Sequence, residues 1–367
     1  MTKRSRLLVA CAASLVLALA VTALAWSDGA PAGATRPMAP AGSIPIAVLG
    51  DSNSQAYQDR ITFPLGIPDR GGALRERTFQ WTEVLARLRG NEIDFGPWVI
   101  WGRPWWSDWL RARVGLTPSR SPRKEDYLYN FANSGAACKN LMGDRLGFRF
   151  PQVPRLLSLM SQDPERWRQG VVVISIGPND WNTYVDLQAS DPSAAPLRRA
   201  VDYCMDQIGQ AVAAIHAAHP TTRVLLLGWF SEASDPSHFD QYRDAASTAN
   251  IAKSTDEVTA GLRRIADADP RRVALFDAHA WFVAHWGSRS PQGDPDFRTV
   301  QLGPLRITNT RGDEPGNALL ADGHGGLAWN ALWAQAVVAR LREAFGLPLT
   351  PISDDEVVRF VTATGLN

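Results

Sequence analysis

The sequence predicts an α/β protein, a central parallel sheet covered by helices on both faces. Apolar runs of strand length recur at Ile44–Leu49, Tyr127–Ala132, Val171–Ile176, Val224–Leu227 and Val273–Phe276. Segments with helical periodicity lie between several of them. No internal repeat and no low-complexity core interrupts the alternation. Short apolar strands alternating with helices bury both sheet faces only if the strands run parallel.

Taken in order, the chain opens with residues 1–26, which read as an export signal. Lys3, Arg4 and Arg6 precede an uncharged apolar run from Leu7 to Ala25, and "ALA" at 23–25 resembles a cleavage site. A run of about 20 apolar residues also spans a bilayer, so a retained membrane anchor over residues 7–25 is the alternative. "LVAC" at 8–11 resembles a lipobox, but only four apolar residues separate Arg6 from Cys11, too few for a signal core. Either outcome places the remainder outside the cytoplasm, periplasmic or secreted. Residues 27–42, rich in Pro, Gly and Ala, form a flexible tether. Residues 43–367 are expected to form one domain.

The first strand, Ile44–Leu49, stops at Gly50-Asp51-Ser52. Ser52 is either the N-cap of a following helix or a nucleophile on a tight turn at the end of a sheet. The next helix candidate is "FQWTEVLARLRG" (79–90), with Trp81, Val84, Leu85 and Leu88 on one face. The others are 196–219, with Pro196 suited to its first turn, 258–269 and 327–345. The stretches 60–77, 91–126 and 277–320 read as long insertions with little regular pattern. Loops this long in a compact domain are often functional.

Composition excludes little but is informative. The 38 basic and 37 acidic residues nearly cancel, so nothing marks a nucleic-acid partner. Tryptophan is abundant, at 14 residues. Beyond Cys11, Cys138 and Cys204 form an even pair in an exported protein, either a disulfide or two separate buried thiols.

In open α/β sheets ligands bind beyond the carboxyl ends of the strands. Acyl transfer needs a nucleophile, a base and donors for the developing oxyanion. The strand ends and loops supply one candidate for each role. Ser52 offers a hydroxyl, and His324 in "LADGHGG" (320–326) can take its proton. Gly135 in "NFANSGAAC" (130–138) offers an unobstructed backbone N–H. Asn179 in "SIGPND" (175–180) offers a side-chain amide beside Gly177. Each item alone is weak, and their joint occurrence in this order is strong.

These four blocks resemble those of the GDSL, or SGNH, hydrolases. "GDSNS" (50–54) matches the first block, "NFANSG" (130–135) the second, "GPND" (177–180) the third and "DGHG" (322–325) the fourth. The resemblance covers residues 44 to about 345. It implies a flavodoxin-like α/β/α sandwich and ester hydrolysis without a metal or other cofactor. It makes Ser52 the nucleophile and His324 the base. Ser52, Gly135 and Asn179 would form the oxyanion hole, with Asp51, Asn130 and Asp180 in support and Asn130 as the structural partner of Gly135. A Cys138–Cys204 bridge would tie the oxyanion loop to the long helix at 196–219. The α/β-hydrolase fold is a poor fit, since no G-x-S-x-G pentapeptide occurs.

One departure stands out. The family usually has Asp three residues before its His, where this chain has Ala321, and Asp322 is two before. Asp322 in a tighter loop, Asp313 in "TRGDEPG", or no carboxylate at all is left to orient His324. The expected function is an exported serine esterase acting on a small-molecule or glycan ester, such as an acylated cell-envelope carbohydrate or lipid. A non-catalytic ligand-binding module and an acyltransferase on the same fold are the alternatives. "FGPWVIWGRPWWSDW" (95–109) carries Trp98, Trp101, Trp105, Trp106 and Trp109, as core cover, sugar-binding wall or membrane contact. His216 and His219 read as helix-end residues rather than metal ligands, and His279 and His285 as structural.

Overall fold

The computed structural model describes residues 40, 42–102, 122–143 and 151–365. The expected export segment, most of the tether, and Trp105, Trp106 and Trp109 lie outside them. Among the described residues no helix is long and apolar enough to cross a membrane.

Strand β1 (Ile44–Gly50) is followed by the two-residue strand β2 (Ile93–Asp94), and an antiparallel pair, β3 (Trp98–Trp101) and β4 (Lys124–Tyr127), comes next. Strands β5 (Val171–Ser175), β6 (Arg223–Leu227) and β7 (Val273–Phe276) complete a five-stranded parallel sheet in the order β2-β1-β5-β6-β7. After β7 come a hairpin, β8 (Gly287–Arg289) with β9 (Pro295–Phe297), and a small sheet of β10 (Val300–Leu302), β11 (Leu305–Arg311) and β12 (Asn317–Leu319).

The period of two along each central strand divides the core. Ile46, Val48, Val173, Leu225, Leu227, Ala274 and Phe276 face one apolar cluster, which includes residues of helices Trp81–Leu88, Ala278–Trp286, Leu327–Phe345 and Asp354–Gly365. Ala47, Leu49, Val172, Ile174, Val224, Leu226 and Leu275 face the other, with helices Gln152–Met160, Ala195–Ala218 and Ala245–Asp267. The result is the three-layer α/β/α sandwich that the alternation predicts.

Three expectations differ from the structure. The run Tyr127–Ala132 is not a strand of the central sheet. Tyr127 ends β4, and the segment beyond pairs with β1 through an isolated bridge between Val48 and Asn130 rather than a strand ladder. The edge of β1 is filled in two pieces, β2 beside Ile44 and Pro45 and this bridge further up, so neither piece has the length of a strand run. The stretch 277–320 is more regular than its sequence implied. It contains the helix Ala278–Trp286 and strands β8 to β12, of which β8, β9, β10 and β12 have only three residues each and display no period. The helix expected at 258–269 begins earlier, at Ala245, where Asp244 accepts a hydrogen bond from the Ser247 N–H as its cap.

The chain leaves β1 toward β2 on one side and builds β5, β6 and β7 on the other. The switch point therefore lies at the carboxyl ends of β1 and β5, where such sheets bind ligands. There Gly50 pairs with Ser175. A Cβ on Gly50 would lie 2.4 Å from the Ser175 carbonyl oxygen. Gln152 clasps the same glycine, accepting from its N–H and donating to its carbonyl, both at 2.8 Å. Gly50→Ala should therefore destabilise the protein by about 1–3 kcal/mol, the usual range for overpacking. Urea denaturation checks this; an unchanged midpoint would mean that β1 and β5 separate without cost.

Candidate active site

Ser52 follows Gly50 on a turn and is buried. No helix starts there, so the N-cap reading of Ser52 fails. Asp51 builds the turn. Its carbonyl accepts from the Ser54 and Gln55 N–H groups, and its Oδ1 accepts from the Asn53 N–H (2.9 Å) and Nδ2 (3.1 Å). Burial pushes the Asp51 carboxyl up to about 7, against the hydrogen bonds from Asn53. Asn130 holds the same turn from outside, its Nδ2 donating to the Ser54 carbonyl (2.8 Å) and to Asp126 Oδ1 (3.2 Å). Through its Oδ1, Asn130 also accepts from the Ala132 N–H (3.1 Å).

The second block is a loop latched to β1 by the Asn133 N–H on the Gly50 carbonyl (3.1 Å). Gly135 has φ 74°, the left-handed region that favours glycine. Among the described residues neither the Ser52 nor the Gly135 backbone N–H has a protein acceptor.

The third block leaves β5 through Gly177, at φ 134°, where a Cβ would strike the Trp181 ring. Pro178 then starts a short helix that carries Asn179. Asn179 Nδ2 donates to the Ala136 carbonyl (2.8 Å), next to Gly135. An amide has two N–H donors, so a second remains. Asp180 Oδ2 accepts from the Cys138 N–H (2.8 Å), tying the third block to the second, and burial raises its carboxyl. The sulfurs of Cys138 and Cys204 lie at bonding distance, with Cα atoms 5.1 Å apart. These two cysteines and Asp180 are the one cluster of potential metal ligands among the described residues. Its donors are already engaged with one another and with the Cys138 N–H.

The fourth block is a tight loop after β12. The Leu320 N–H donates to the His324 carbonyl (2.7 Å), and Tyr57 Oη and Asn330 Nδ2 both donate to the Gly325 carbonyl. The geometry distinguishes the acids. Asp322 Oδ1 lies 3.1 Å from both His324 Nδ1 and the His324 backbone N–H. Asp313 instead accepts from the Ala321 N–H (3.1 Å) and shapes the loop. Burial alone would raise the Asp322 carboxyl, but the His324 hydrogen bond and the charges of His324 and Arg70 hold it well below the usual carboxylate range. Burial pushes His324 below its ordinary value; Asp322 opposes this and Arg70 adds to it.

Ser52, Asn179 and His324 line one cavity of about 250 Å³. Ser52 and His324 are not hydrogen-bonded to each other; such bonds are often loose before substrate arrives. Gly135 is not among the residues that line the cavity. The wall also contains Trp229, Phe230, Glu232, Asp235, Trp329 and Trp333. Sequence reading did not single out these aromatics; Trp329 and Trp333 fall within the helix candidate 327–345, where nothing local marks a cavity. Of the tryptophans in 95–109 that the structure describes, Trp98 is core, packed edge-on against Tyr127 at 5.1 Å. Trp101 packs edge-on against Phe131 at 6.3 Å.

A family model described as GDSL-like lipase/acylhydrolase matches residues 46–296. The chain belongs to that family. It is accordingly an ester hydrolase. A lipase from a goat rumen metagenome is similar at 12% identity and TM-score 0.41, over 81% of this chain and 97% of that one. A catalytic mutant of an acetylxylan esterase from Geobacillus stearothermophilus is similar at 14% identity and TM-score 0.37, over 82% and 95%. A family 3 carbohydrate esterase from Clostridium thermocellum is similar at 13% identity and TM-score 0.37, over 82% and 96%. No curated protein gives a significant sequence match.

Cys138 and Cys204 are both fully buried. In protein made in an oxidising compartment, both should resist alkylation after denaturation without reductant and react after reduction. Intact mass reads the difference; two thiols that alkylate without reductant would refute the bridge.

Proposed function

We propose that this hydrolase is exported and cleaves carboxylic esters through an acyl-enzyme on Ser52. The observation that carries the reading is the convergence of Ser52, Asn179 and His324 on one cavity, with Asp322 against His324 Nδ1. His324 Nε2 takes the Ser52 proton as Ser52 Oγ attacks the ester carbonyl. The N–H groups of Ser52 and Gly135 and the second N–H of Asn179 receive the oxyanion. His324 returns the proton to the leaving alcohol. Water, deprotonated by His324, then attacks the acyl-enzyme and releases the acid. Asp322 accepts the Nδ1–H throughout and favours the tautomer with a free Nε2.

The cavity wall supports an acylated carbohydrate as substrate. Trp229 and Phe230 offer apolar surface that suits a sugar ring, while Asn182, Glu232 and Asp235 offer hydroxyl partners. Burial raises the Glu232 carboxyl, which favours its protonated form, able both to donate to and to accept from a hydroxyl. Export rests on the charged and apolar pattern of residues 1–26.

Hydrolysis of p-nitrophenyl acetate and butyrate should disappear in Ser52→Ala with folding unchanged. Folded wild type inactive on these and on acylated glycans would favour a binding module. Asn179→Ala should lower kcat by about 100- to 1000-fold, since one oxyanion donor is worth about 3–4 kcal/mol. A wild-type rate in that variant removes Asn179 from the mechanism.

A further inference from the structure

The stretch 60–77 sends one side chain into the site. Arg70 is 3% exposed and has φ 59°, unusual for a residue with a side chain. Its backbone N–H donates to Asp322 Oδ2 (2.9 Å), and its Nη1 donates to the same oxygen. Nη1 also lies 2.7 Å from His324 Nδ1; in the tautomer whose Nδ1–H faces Asp322 Oδ1 both nitrogens are donors, so this approach is a close charge contact rather than a hydrogen bond. The guanidinium rests on Phe63, 4.5 Å from the ring centroid, with Tyr57 at 5.6 Å.

We propose that Arg70 is a positioning residue for the catalytic pair, fixing Asp322 through two donors so that the carboxylate's other oxygen is left for His324. The proposal rests on His324 being the base. It accounts for the shortened fourth block. With Asp322 only two residues before His324, one carboxylate oxygen must serve both the His324 backbone N–H and Nδ1. Arg70 occupies Oδ2 and prevents the carboxylate from turning away. The same cation stands beside the imidazole and disfavours its protonated form. This keeps His324 a competent base at lower pH.

Other groups facing His324 are few. Tyr57 reaches its loop from the turn after β1. The Arg311 guanidinium from β11 lies against Gly323. Glu232 and Asp235 face it across the cavity. None of these is placed against Nδ1.

Arg70→Met keeps an unbranched apolar stem beside Phe63, removes the charge and the Nη donor, and leaves the backbone strain unchanged. In the full-length protein, kcat for p-nitrophenyl acetate should fall about 10- to 100-fold, part of the general-base contribution. KM should change little. The acid limb of kcat/KM should move up by about one pH unit, as expected for losing a nearby cation. Arg70→Lys should restore the limb and part of the rate. Imidazole NMR titration, with His324 assigned through His324→Gln, reads the same shift without any substrate. A folded Arg70→Met with an unmoved His324 titration overturns the proposal, even if its activity is low. Hydrolysis that survives Ser52→Ala, with the His324 titration shifted as expected, overturns instead the acyl-enzyme reading.

Discussion

The site depends on how closely two strands run at their carboxyl ends. Between Gly50 and Ser175 there is no room for a Cβ, and Gln152 seals the gap by bonding both backbone groups of Gly50. That approach fixes where β1 stops and where Ser52 stands. It also fixes β5 beside it, and so the turn through Gly177 that carries Asn179. The other parts are brought to this point. The second block is latched to the Gly50 carbonyl by Asn133, and to the third block by Asp180 and Asn179.

The charges follow the same logic. Asp322 is half-buried beside two cationic or potentially cationic groups and stays ionised, whereas Asp51 is fully buried, hydrogen-bonded by the Asn53 amides, and is pushed up to about 7. One is an anion aimed at the imidazole. The other is a brace for the turn, with one oxygen that has no partner among the described residues.

Much of this was legible in the sequence because it is local. A strand must end where Gly-Asp-Ser begins, and a glycine followed by Pro-Asn-Asp must turn. The alternation of runs and helices gave the layers. What was not legible is what distance conceals. Arg70 sits in a stretch with no period, in a backbone conformation that no residue type announces, and its partner lies 252 positions away. Strand β2 is two residues long and has no pattern to read. The cavity's aromatic wall comes from Trp229, Phe230, Trp329 and Trp333 rather than from the tryptophan-rich stretch, whose Trp98 is core. Periodicity marks an apolar face but not whether a cavity opens beside it.

The four blocks are strung along almost the whole domain, and the last to be made closes on the first. The Tyr57 hydroxyl meets the Gly325 carbonyl across 268 residues of chain. Contacts of that separation pay their loop-closure entropy before they return anything. A growing or refolding chain can therefore possess its sheet, its nucleophile turn and its oxyanion donors while still lacking its base. Recovered ester hydrolysis would then time the final closure of the fold, well after spectroscopic signals have reported the sheet and helices.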